Sequence, residues 1–274
     1  MTFRFMTVAL ALSATVLFPL ARATPVVSGV ASLNGTATVT NTSIEFFDNT
    51  GTANTLSGAA TGNTLSYATL NGIADPAVQI KELSGGPFSG TFPGPGFVDY
   101  ATFDVTNAPS GYSTIDFDLT QINPGVGSAA ACFSDTPGNE CTPLIDTTDP
   151  GDPWVMSCHS GHTCVTSPFT LVQANGGVDI FYTFDGVSYF APPEPAPPNS
   201  STTAAILSTQ GVINTYGGIV EVDNALHSGN GTVTASVAGT FGSTAVPEPT
   251  TALLALSGLL IVAGLYRRGN KHRS

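Results

Sequence analysis

The chain has 274 residues, only 9% of them charged, and carries nineteen acidic against seven basic residues, a net charge of −12. A field of that sign repels nucleic acid, anionic lipid and acidic polysaccharide, which excludes nucleic acid as a partner. The length allows one all-β domain or two small ones between the end segments.

Residues 1–23 read as a secretory signal peptide. Arg4 gives a positive start, residues 6–17 an apolar core too short for a stable span, and Pro19 a helix break. Ala21-Arg22-Ala23 is a small-x-small cleavage site, so the mature chain is expected to begin at Thr24. Between residues 24 and 245 only Lys81 is basic, against eighteen acidic residues, so this body is more acidic than the whole chain. The plain consequence of such a surface is solubility and resistance to self-association.

The body carries short, repeated strand signals. They occur at residues 36–40, 43–48, 97–105 and 112–120; in the last, Ile115, Phe117 and Leu119 share one face while Asp116 and Asp118 share the other. Residues 169–172 and 178–184 flank Asn175-Gly176-Gly177, a hairpin signal. Strands are also predicted at 218–222 and 232–238 with a turn at 228–231, and a short helix at 204–210 capped by Ser201-Thr202-Thr203. Residues 191–198 are proline-rich and read as a stiff protruding loop. Many short strands with frequent turns and no long amphipathic helix point to an antiparallel sandwich or barrel, with a β-sandwich, jelly-roll or immunoglobulin-like, preferred.

Four cysteines, Cys132, Cys141, Cys158 and Cys164, lie within 33 positions. An even number in an exported chain implies disulfides. Three connectivities exist; Cys132–Cys141 with Cys158–Cys164 closes the shortest loops and is preferred. Cys158, His159, His162 and Cys164 offer a zinc set, but the spacing fits no familiar zinc module and an oxidising compartment favours the disulfide. Asp146, Asp149 and Asp152 form an acidic turn beside Trp154 that offers Ca²⁺ ligands, without the ligand order of an EF-hand; a solvated turn is the simpler reading. Asp116 and Asp118, about 7 Å apart along a strand, are candidates for a glycosidase-type carboxylate pair. The sequence contains no nucleophile elbow, no His-Glu-x-x-His and no phosphate loop. No cofactor other than Ca²⁺ is suggested, and no catalytic residue is assigned.

Val246-Pro247-Glu248-Pro249 precedes an uncharged apolar stretch at 250–266, and Arg267-Arg268 opens a basic end. The stretch would make a helix of about 25 Å, at the short end of a membrane span. Its basic flank would stay cytoplasmic, with the body on the opposite side. This order of motifs resembles the bacterial PEP-CTERM sorting signal. The resemblance implies that an exosortase, a membrane transpeptidase, processes residues 246–274 and that the chain reaches the cell surface or an exopolysaccharide matrix. It covers about a tenth of the chain and brings no active site to the body. The expectation is therefore an exported surface or matrix protein, non-enzymatic and linked to biofilm or exopolysaccharide. Its alternatives are a Ca²⁺-assisted carbohydrate-binding or adhesive module and a secreted hydrolase.

Overall fold

The computed structural model describes residues 25–245 except 40–42, 74–76, 85–89, 92–96, 106–108, 110, 147, 150–153, 156, 168, 192–199, 211–215 and 228–231. Both end segments, with Ala21, Ala23, the 246–249 motif, the 250–266 stretch and Arg267-Arg268, lie outside the described residues, as does most of the 191–198 loop. Among the described residues no helix is long and apolar enough to cross a membrane.

Sixteen strands are described. They are β1 (Gly29–Val39), β2 (Ser43–Phe47), β3 (Thr55–Gly58), β4 (Val78–Ile80), β5 (Leu83–Ser84), β6 (Gly90–Thr91), β7 (Phe97–Asp104), β8 (Thr114–Ile122), β9 (Glu140–Cys141), β10 (Leu144–Asp146), β11 (Trp154–Val155), β12 (Cys164–Thr166), β13 (Phe169–Ala174), β14 (Gly177–Ala191), β15 (Ser201–Gln210) and β16 (Val233–Thr244). One α-helix, α1 (Ile219–His227), lies between the last two strands.

The expected sandwich is not what forms. Strands β8-β7-β4-β3-β1-β16-β15-β14 are antiparallel neighbours in that order, and β14 pairs back onto β8, so eight strands close into a barrel. Closure depends on the length of β14: Phe169–Ala174 occupies one edge of its first half, and β8 the same edge of its second half. One partner hands over to the other between Tyr182 and Phe184, and the β14–β8 register shifts just beyond, at Asp185/Gly186. A side chain on Gly186 would collide with the Asp118 carbonyl and the Phe117 ring, so a glycine is needed where β8 crosses.

The interior is filled rather than hollow, one of the two outcomes open to an eight-stranded barrel. Tyr67, Phe103, Phe241, Phe117, Tyr100, Phe184, Tyr182 and Phe169 form a continuous aromatic column with ring centroids 5.1–6.4 Å apart. At one rim a chain of hydroxyls, Tyr67–Ser243–Thr203–Ser188, satisfies groups that the column leaves polar, each contact at 2.8 Å. Outward positions such as Thr202, Thr234, Ser236 and Thr240 are exposed. Apolar-in, polar-out is the reverse of the pattern on strands that face lipid.

Two local expectations also fail. Residues 204–210 are strand, not helix: Ala205, Leu207 and Thr209 point inward and both edges are paired, so ladder hydrogen bonds outweigh the helix propensity of Ala and Leu. Residues 218–222 start α1 instead of a strand, because Ile219, Val222 and Leu226 share one buried stripe at helical spacing. Gln173 Oε1 and Asp135 Oδ1 accept from the backbone N–H groups of Ile219 (2.9 Å) and Val220 (3.0 Å), capping the first turn from outside the helix. The predicted turn at 228–231 lies outside the described residues, between α1 and β16 in the chain. The Asn175-Gly176 turn does form a hairpin, with Ala174 opposite Gly177 and Gly176 at φ 99°.

Outside the barrel, β11-β10-β12 form a small sheet. Cys132 is bonded to Cys141 and Cys158 to Cys164, with Cα–Cα distances of 5.2 and 5.8 Å. Cysteines bonded in this way belong to an oxidising, exported environment.

Candidate functional site

The strongest concentration of perturbed groups lies on the outer face of β7, β8 and β14. Thr102, Asp116 and Tyr189 are cross-strand partners in one row, and Asp118 follows on the same face of β8. The period-two reading of β8 is correct for the inward residues. It is wrong about solvent: Asp116 is 7% exposed and Asp118 4%, so the polar face is buried.

The third carboxylate comes from a bulge. The β7–β8 register shifts between Phe97 and Ala101, and within it Asp99 adopts φ 49°, a left-handed conformation uncommon for a residue with a side chain. The bulge turns the Asp99 N–H onto Asp118 Oδ1 at 2.8 Å, and the Tyr189 hydroxyl lies 3.3 Å from Asp118 and 3.4 Å from Asp99. Burial pushes the Asp116 carboxyl up to about 6, and the Asp99 charge adds to that; the Thr102 and Thr114 hydroxyls act the other way. Burial also raises Asp118, opposed by the Asp99 N–H. Asp116 Oδ1 is buried with no hydrogen-bond partner among the described residues. A carboxyl poised near neutrality beside two others can hold and release a proton.

Next to the cluster an open groove of about 730 Å³ runs over β3 and β4, where the barrel ladder is shortest. Asp99 and Thr102 reach it from the cluster; Asn54, Gln79, Lys81 and Glu82 line its other side. Lys81, the sole basic residue of the body, donates to the Val98 carbonyl at 2.7 Å, and its charge favours ionised Asp118.

Sequence reasoning singled out Asp116 and Asp118 but not Asp99, Thr102, Tyr189 or Lys81. Asp99 carried a signal. It has the parity of Phe97, Ala101 and Phe103, an apolar face, while its neighbour Tyr100 is the residue that is buried. A carboxylate on apolar parity beside a large aromatic marks a bulge.

Asp146 is buried and turned to His162, Asp149 is exposed and stands outside the group Asp146 joins, and Asp152 lies outside the described residues. Comparison of the chain with protein-family models, with curated proteins and with solved structures gives no match. The functional reading therefore rests on the residues themselves.

Proposed function

We propose that this chain is an exported, non-enzymatic surface or matrix protein, delivered through its C-terminal tail. The observation that supports this reading best is the pairing of Gly29 with Ser243. The body's first and last strands are neighbours, so both end segments leave one rim of the barrel. Strand β16 ends at Thr244, ahead of the 246–249 motif, so a cut there removes no ladder hydrogen bond. Five residues separate Thr244 from the apolar stretch that begins at Thr250, a reach of roughly 20 Å. While the 250–266 stretch is in the membrane, the barrel stands close above it, and an exosortase-type enzyme can reach the motif. The groove, which offers Asn54, Gln79, Lys81, Glu82 and Asp99 over a partly apolar floor and is within the size range of ligand sites, suits a polyhydroxylated chain such as an exopolysaccharide.

The experiment is an intact mass of the unreduced protein from the native envelope and medium. The expected mass runs from Thr24 to about Val246, lighter by the four hydrogens of two disulfides. A mass that still includes 250–274 in every fraction overturns tail processing and leaves a tethered barrel.

A second reading is favoured by Asp116. A carboxyl raised to about 6 beside Asp118 and Asp99 has the form of a general acid next to a charged partner. A secreted hydrolase of this kind would turn over some member of a polysaccharide and peptide panel and lose that turnover in Asp116→Asn. Turnover unchanged in both Asp116→Asn and Asp118→Asn removes the reading.

A further inference from the structure

The disulfide at Cys158–Cys164 removes both thiols from the zinc set that the sequence offered, yet the fold supplies a replacement. In the small sheet the Cα partner of Cys164 is Asp146, the last residue of β10. That register brings a buried carboxylate against the disulfide loop. His159 and His162 lie in that loop, in a turn where the His162 N–H donates to the His159 carbonyl at 3.0 Å. Gly161 at φ 89° permits the turn. The two imidazoles then stand on the same side, with ring centroids 5.6 Å apart.

Asp146 is held firmly. One oxygen accepts from the Thr148 hydroxyl (2.5 Å) and N–H (2.9 Å), and the other meets His162 Nδ1 at 2.5 Å. His162 is 37% exposed, which leaves the site open to solvent and to an entering ion.

We infer that Asp146, His159 and His162 form a binding site for a divalent transition ion of the zinc class. One ligand atom from each lies within 4.8 Å of the other two. Ligands about 2.1 Å from a tetrahedral ion lie roughly 3.4 Å apart, so the 2.5 Å Asp146–His162 contact must open by about 1 Å and any ligand pair near the 4.8 Å limit must close by a similar amount. The exposed rings can supply that movement while the disulfide and the buried Asp146 stay fixed. Two imidazoles and one carboxylate suit Zn²⁺, Cu²⁺ or Ni²⁺; Ca²⁺ prefers six to eight oxygens, which this set does not offer. Three protein ligands leave a coordination position free for water or for a donor from a partner.

The test uses the full oxidised chain in mild detergent, stripped with chelator and titrated with ZnCl₂ in a calorimeter. One equivalent is expected to bind, unaffected by millimolar CaCl₂. Asp146→Asn is expected to weaken binding 10- to 100-fold, and His159→Ala with His162→Ala to abolish it. His227→Ala with His272→Ala, which removes the chain's other two histidines, should leave it intact. Both double variants are checked for retained disulfides and an unchanged unfolding midpoint in the absence of metal. A Co²⁺ titration gives a second readout: visible ligand-field bands without a thiolate charge-transfer band mark nitrogen and oxygen ligands. Equal zinc binding in the His159/His162 variant, or cobalt thiolate bands, would sink the proposal. So would an absence of binding by the wild-type chain, which would leave Asp146–His162 as a pair that only locks the loop.

Discussion

Phe241→Ala is expected to lower the unfolding free energy by about 4 kcal/mol, read as a shift of the urea midpoint at unchanged slope. Phe241 is fully buried on β16 and meets Phe103 of β7 and Phe117 of β8 edge to face, at 5.2 and 5.3 Å. It therefore joins the well-laddered side of the barrel to the side with short pairings. Truncation removes the ring's own burial and two aromatic contacts of about 0.5–1.5 kcal/mol each. The cavity cannot collapse easily, because both neighbouring rings project from strands fixed in a closed ladder. Ile206→Ala is the control. Its side chain is 52% exposed on the outer face of β15, the strand beside β16, and its loss should change stability by no more than about 0.5 kcal/mol. Equal effects from the two substitutions would mean that the aromatic column is not the core.

The individual strands were legible because their signals are local. Ile115, Phe117 and Leu119 alternate, and Asn175-Gly176 turns, whatever the rest of the chain does. Closure was not legible. A sandwich and a barrel use the same alternation, and what separates them here is the pairing of β14 with β8 across some seventy residues of chain. The misread segments, 204–210 and 218–222, are short apolar runs in which helix and strand periods cannot be told apart. In both, the neighbours decided: two paired edges for one, a three-residue buried stripe for the other. The cysteine partners were readable from loop length alone. The zinc-class site was half readable: the two histidines were visible, but Asp146 joins them only through the β10–β12 register. The carboxylate cluster was hidden in a similar way. Asp116 and Asp118 were noticed, but their burial depends on Tyr189 and on the Asp99 bulge, which arrive from two other strands.

That burial gives the second large prediction, in which the sign matters more than the size. An unfolded Asp titrates near 3.9, and the folded Asp116 at about 6. The folded state therefore binds this proton more tightly than the unfolded one. Its contribution to stability is complete below about pH 4 and is lost as pH rises through 6. Asp48 and Asp146 act in the opposite sense. Asp48 is raised by burial, but hydrogen bonds from Thr50 and Thr52 outweigh that and hold it at about 2; Thr148 and His162 hold Asp146 there too. Their stabilisation is present above about pH 4 and is lost as pH falls toward 2. The protein should thus be most stable near pH 4–5, with separate causes for the decline on each side. Asp116→Asn removes the charge and keeps the shape. Two pKa units correspond to roughly 3 kcal/mol, and solvent from the adjacent groove reduces that to about 1–2 kcal/mol. The variant should be more stable than the parent by that amount at pH 7.5 and equal to it at pH 4, in chemical denaturation followed across pH. Under the hydrolase reading the same substitution removes turnover while it raises stability. A variant destabilised equally at both pH values would show that Asp116 serves packing, and the carboxylate cluster would then lose its standing as a functional site.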